Sequence, residues 1–162
     1  MKAISLWQPW ATLIVMGAKR VETRSWKPPE ALIGKRIAIH ASKRLDPLVL
    51  QPPFSDLISD PVKECPTGML LGTCTLEGAF SIDHEADALM IASEYHRTDN
   101  GHGYTKPTFD EDAVALELAF GDYTVGRWAW GLADVRPLVH PVPFNGRQKF
   151  WDIGLPEGLT LA

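Results

Sequence analysis

A chain of 162 residues, 45% hydrophobic and 22% charged, has the length and apolar content of one ordinary globular domain with a real core. Its net charge of −4 argues against tight, unspecific binding of long nucleic acid, which depends on many phosphate contacts. No apolar run approaches the roughly 18–20 residues that span a bilayer, the N-terminus lacks a signal-peptide pattern, and Cys65 and Cys74 have neither disulfide-framework nor zinc spacing, so a cytoplasmic protein away from the membrane is the expectation.

In chain order, Ala3–Trp7 reads as a short strand and Pro9–Met16 as a two-turn helix stopped by Gly17. Residues 19–26 form a polar strand or extended turn, ended by Lys27-Pro28-Pro29. Arg36–Ser42 alternates Ile37, Ile39 and Ala41 and reads as a strand. The Pro-rich stretch 43–67 holds one short helix near Phe54–Ile58. Gly68–Ile82 is the strongest β segment, with Gly72 and Gly78 as bulge positions. A helical run from Asp83 to about His96, a loop at Asn100-Gly101-His102-Gly103 and a second helix over Asp110–Phe120 follow. Trp128–Pro137 is a further strand, Pro141–Phe144 an extended edge, and Phe150–Ile153 closes the set. Short strands, abundant Pro and Gly and a few helices predict an α+β domain, mostly β, built on a small barrel. The acidic stretch 84–120 reads as a helical insertion covering one side of that barrel.

Charge is unevenly placed. Residues 1–50 carry nine Lys/Arg against three Asp/Glu, net +6, and residues 51–162 carry seven against seventeen, net −10. Such asymmetry suggests a site for an anionic partner, or two halves that pair with each other. Lys19 follows the Gly17 turn and suits phosphate contact or, if desolvated, a base. Glu22 and Arg24 are two apart and share one strand face. There Glu22 can accept from an exocyclic amine and Arg24 donate to ring acceptors, or the two can form a surface pair. Trp7, Trp10 and Trp26 are candidate stacking surfaces, with Trp10 the most readily explained as core. His40, on an apolar strand, is a core residue or a ligand contact. Ser42, Lys43 and Arg44 extend the basic surface, and Arg147 and Lys149 reach toward phosphate from the final loop. Lys19, Arg24, Lys43 and Arg44 are expected around one positive cleft. His84, His96, His102 and His140 lack metal spacing, so no metal and no cofactor are expected.

Leu6-Trp7-Gln8-Pro9-Trp10-Ala11 and Gly17-Ala18-Lys19-Arg20-Val21-Glu22-Thr23-Arg24-Ser25-Trp26 resemble the ASCH domain family of the PUA-like superfamily. The similarity continues through Gly34–Ser42, Gly68–Leu76 and Trp128–Leu138, and ends in Asn145–Trp151, which looks like the family's Gly-x-x-x-x-Trp signature. The resemblance implies a five- or six-stranded PUA-like β-barrel whose Gly-x-Lys segment faces a ligand cleft, with RNA, a nucleotide or a modified nucleoside as partner. Some small bacterial members are amidohydrolases of acetylated cytidine that use a Lys, a Thr three residues later and a downstream Glu. Lys19 matches the first. The Thr position is Glu22 here and Thr23 is one residue off, a step that turns a strand side chain to the other face. Glu77 and Glu85 are the downstream carboxylates considered. Three readings follow: nucleic-acid or nucleoside binding, amide hydrolysis through Lys19, Glu22 and Thr23, and a protein-interaction module with a Trp-rich surface. A Lys19 standing at a surface site predicts that Lys19→Ala shifts stability by no more than about 0.5 kcal/mol.

Overall fold

Six strands and five helices carry the architecture in a computed structural model that describes residues 1–98 and 108–154. The strands are β1 (Lys2–Gln8), β2 (Val21–Arg24), β3 (Lys35–Leu45), β4 (Met69–Ser81), β5 (Trp128–Pro143) and β6 (Phe150–Asp152). The helices are α1 (Trp10–Val15), α2 (Phe54–Leu57), α3 (Pro61–Glu64), α4 (Glu85–Tyr95) and α5 (Glu111–Phe120). The expected Asn100–Gly103 loop lies outside the described residues. No helix among the described residues is long and apolar enough to cross a membrane.

The strands form one mixed sheet in the order β2-β5-β4-β3-β1-β6, with β1 and β3 parallel and every other pair antiparallel. The register of β4 on β5 slips next to Gly72 and Gly78, where bulges are expected. At Gly72 a Cβ would stand 2.6 Å from the Arg136 carbonyl oxygen, so the two backbones can approach only over a glycine. The expected break between Trp128–Pro137 and Pro141–Phe144 is absent, and β5 runs on through Pro137, Pro141 and Pro143. Beyond Leu132, β5 has no strand partner on its β2 side among the described residues, so residues without an N–H are tolerated along that edge.

The sheet is not closed into a barrel, which corrects the sequence expectation. β2 pairs only with β5 and β6 only with β1, and no backbone ladder joins the two edges among the described residues. These edge strands have four and three residues, and no ladder closes the gap between them among the described residues. Aromatic rings fill it instead. Trp26, just past β2, meets Trp130 edge-on at 4.7 Å and Phe150 of β6 at 5.9 Å, while Phe150 stacks on Trp130 at 5.6 Å.

The main core packs Ala11 and Ile14 of α1 against Ile4, Leu6, Ile37, Ile39 and Trp130 of the sheet. Gly17 ends this helix with φ +80°, a conformation that needs no Cβ. The 84–120 segment supplies buried Ile91, Ala92, Val114 and Phe120. Ile91 packs with Val21, Ile82 and Ala129, and Phe120 with Leu13 and Phe54, so both helices are rooted in the core as well as covering the β2 end of the sheet.

Candidate functional site

The turn after α1 decides where Lys19 goes. The Lys19 amide donates to the Leu13 carbonyl at 3.1 Å, and the side chain enters the protein, where it is 1% exposed. The expectation of an exposed Lys19 is therefore corrected. Its ammonium donates to the Val21 carbonyl and to Glu117 Oε1, the latter at 3.2 Å. Glu117, on α5, is fully buried. Its Oε2 accepts from the Arg20 amide at 2.5 Å and faces His96 Nε2 at 3.1 Å, and its Oε1 accepts from the Tyr123 hydroxyl at 3.3 Å. Burial pushes the Glu117 carboxyl up, but the Lys19 charge and the hydrogen bonds from His96, Arg20 and Lys19 outweigh it, so its pKa lies below the usual glutamate value. Burial and the nearby Glu117 charge push the Tyr123 phenol up.

Neither Glu77 nor Glu85 stands at Lys19. Glu77 lies beside the Tyr95 phenol, which burial first and Glu77 second push up, and Glu85 sits exposed in the first turn of α4. Glu117 escaped sequence reasoning because it is 98 residues from Lys19. A signal was nonetheless present: Val114, Glu117 and Phe120 recur at spacing three, so one charge occupies an otherwise apolar buried stripe.

Two adjoining cavities share Ser5, Trp7 and Arg24. The first, of about 510 Å³, has the rings of Trp7, Trp10, Phe54 and Phe120 on its wall together with Lys19, Glu22, Thr23, Arg24, Asp122 and Arg127. Trp10 is held there by its indole N–H, which donates to the Phe120 carbonyl at 2.7 Å. The Thr23 hydroxyl oxygen accepts from the Asp122 amide at 3.0 Å. Glu22 and Arg24 form an ion pair, with 2.8 Å between Oε1 and Nε, in which the Nε–H is not aligned on the oxygen. Arg24 also reaches across the open seam from β2 to β1, its guanidinium donating to the Ser5 carbonyl at 3.4 Å.

The second cavity, of about 600 Å³, is lined by four cations, Arg24, Lys43, Arg147 and Lys149, and by no carboxylate among the described residues. Trp7, Trp26, His40 and Ser42 complete the predicted residues on its wall. Trp7 is 45% exposed, and the Arg44 guanidinium lies 3.5 Å above its ring centre, a cation–π contact that holds the indole from one side. The structure thus brings nine predicted residues around this cavity, Arg44 through Trp7, and puts Lys19, Glu22 and Thr23 in the adjoining one.

His40 is 2% exposed, with Nε2 3.0 Å from the Phe144 carbonyl oxygen and Nδ1 3.0 Å from Ser5 Oγ. A carbonyl only accepts, so in the neutral ring Nε2 carries the hydrogen and Nδ1 accepts from the Ser5 hydroxyl. Burial lowers the His40 pKa, and the Phe144 carbonyl opposes this in part. The Trp151 indole donates to the same Ser5 oxygen at 3.2 Å. Gly146 lies directly over the pair, where a Cβ would come within 2.3 Å of His40 Cε1 and 2.7 Å of Ser5 Oγ. Ser5 was missed by sequence reasoning, although its spacing of two from Trp7 places both on one face of β1.

The ASCH domain family matches residues 4–137, a span that includes α4 and α5. No curated protein matches. Among solved structures, the crystal structure of ASCH from Zymomonas mobilis is similar at 20% identity with a TM-score of 0.51, covering 94% of this chain and 87% of that one. A single-substitution variant of the same Zymomonas mobilis protein aligns at 18% identity and a TM-score of 0.49, covering 94% and 89%. On sequence match and shared fold together, this chain belongs to the ASCH domain family.

Proposed function

We propose that the paired cavities recognise RNA, or a nucleotide or modified nucleoside, with a base against Trp7 or Trp26 and phosphate beside Lys43, Arg147 and Lys149. The carrying observation is the placement of Trp7. It stands half-exposed and braced by Arg44 between a ring-walled cavity that holds charges of both signs and a cavity whose Lys and Arg side chains face no carboxylate among the described residues. An indole offers any base a stacking face, contributing about 1–3 kcal/mol per base, while Glu22 accepts from an exocyclic amine. Members of the family are associated with RNA binding or hydrolase-like activity, which agrees with this reading. A cytoplasmic setting suits the two buried free thiols, Cys65 and Cys74. Titrating tryptophan fluorescence with short single-stranded RNA, mononucleotides and nucleosides is the test. Saturable quenching in wild type that weakens tenfold or more in Trp7→Ala supports it. No response to any of these ligands at low salt sinks it.

Amide hydrolysis of an acylated cytidine is a second reading, favoured by Lys19, Glu22 and Thr23 bordering one cavity. Lys19 Nζ donates to Glu117 and to the Val21 carbonyl, which holds the side chain at the wall of that cavity, where its charge can face a developing oxyanion. Release of carboxylate from acylated cytidine, lost in Lys19→Met, separates this reading from binding alone. A Trp-rich docking surface has less support, because Trp130 and Trp151 are buried and Trp10 is held by Phe120.

A further inference from the structure

We propose that Ser5 and His40 form a nucleophile–base pair that cleaves acyl esters of phosphate-bearing alcohols in the cation-lined cavity. This goes beyond the binding reading and does not depend on base stacking. Ser5 and His40 sit side by side on the parallel strands β1 and β3, and both line that cavity. The hydrogen-bond directions are fixed. The Phe144 carbonyl takes the Nε2 hydrogen, which leaves the Nδ1 lone pair for the Ser5 hydroxyl. The Trp151 indole occupies one lone pair of Ser5 Oγ, and the second has no partner among the described residues. A hydroxyl oxygen with its proton aimed at a neutral imidazole, the imidazole itself oriented by a third group, is the arrangement that activates serine for attack on a carbonyl carbon. The fold spends a glycine on this spot, since any Cβ at position 146 would collide with both partners. The Arg24 guanidinium, anchored on the Ser5 carbonyl, supplies positive charge for the developing oxyanion. Arg24, Lys43, Arg147 and Lys149 select a substrate that carries phosphate.

The steps balance without a co-reactant other than water. Ser5 Oγ bonds to the ester carbonyl carbon while its proton passes to His40 Nδ1. The tetrahedral adduct collapses, the C–O bond to the alcohol breaks, and the alcohol leaves with the proton from His40. Water, deprotonated by His40, attacks the acyl-Ser5, and the carboxylic acid departs as the proton returns to Ser5 Oγ.

An alkyl fluorophosphonate tests this directly, because an activated serine displaces its fluoride and keeps a stable phosphonate ester. The expected result, read by intact mass and peptide mapping on the folded full chain, is one adduct on Ser5. It is absent in Ser5→Ala and forms about a hundredfold more slowly in His40→Asn. Should His40→Asn not fold, the wild-type labelling rate against pH carries the same information. It rises as His40 loses its proton, at a pH below the ordinary imidazole range, since burial disfavours the imidazolium more than the Phe144 carbonyl favours it; the charged groups that line the same cavity are Arg24 of β2, Lys43 of β3, and Arg147 and Lys149 of the loop before β6. A wild-type protein that melts normally yet forms no Ser5 adduct overturns the proposal, as does labelling indifferent to His40 or to pH. A nitrophenyl ester cleaved no faster when it bears a phosphate overturns the substrate class. RNA binding is read by fluorescence and acylation by mass, so the failure of one reading is distinguishable from the failure of the other.

Discussion

A buried lysine and a buried glutamate are tolerated only as partners, which fixes what single substitutions at Lys19 and Glu117 do. Lys19→Met leaves the Glu117 carboxylate in the interior without its cation and is expected to cost about 3–5 kcal/mol in chemical denaturation, far above the cost at an exposed lysine. Replacing both residues with methionine should recover much of that loss, because no unpaired charge is left behind. A double variant as unstable as the sum of the two singles would show that the pair is not the reason. The pH dependence has a defined sign. The folded-state Glu117 pKa lies below its unfolded value, so its contribution is present in full above the unfolded pKa and fades as pH falls toward the folded one. Glu117→Gln should therefore lose less stability than wild type on acidification from neutral pH, as read from urea midpoints. Had both lost stability in parallel, other carboxylates would dominate the acid limb.

Elements explain what the sequence made legible and what it hid. α1, β3, β4, α4 and α5 could be read directly, because apolar spacing and a Gly or Pro boundary are local signals. The Gly-x-Lys turn was legible for the same reason, and the resemblance to a family placed a cleft beside it. The direction of the Lys19 side chain was hidden, since it depends on a charge supplied by α5. The Ser5–His40 contact was hidden too, since it depends on the parallel register of β1 on β3. Prolines misread β5, because a strand with one free edge follows different rules from a strand flanked on both sides. The aromatic seam makes an element-level prediction. Phe150→Ala removes the ring that links β6 to Trp26 and Trp130 and should cost at least about 2 kcal/mol. Gly146→Ala should cost about 1–3 kcal/mol and weaken any ligand held in the second cavity, because the loop must lift off His40. An unchanged melting curve and unchanged affinity would show that the loop yields without strain.

At the scale of the whole molecule, charge is divided so that an acidic protein keeps one cavity with four cations and, among the described residues, no carboxylate. A single-stranded RNA held by four cations should show a log K against log salt slope no steeper than about −3, since each neutralised phosphate contributes about −0.7. Lys43→Glu should flatten that slope, whereas a much steeper wild-type slope would mean that phosphates run beyond the cavity. The same scale shows why a barrel was the wrong closure. Short edge strands leave a seam, and both cavities meet at Arg24, the residue that spans it.

Lys19 and Glu117 belong to opposite halves of the chain, and the halves are stitched by the β4–β5 ladder. Severed between Thr98 and Thr108, the protein would be a candidate for fragment complementation. The first piece would hold four strands and an orphaned buried ammonium, the second the missing strands and its counter-charge. Neither could bury its apolar faces alone, so reassembly would report on the ion pair. Glu117→Gln in the second fragment should weaken recovery of the two pieces as one complex on a sizing column, turning a static contact into an assembly code.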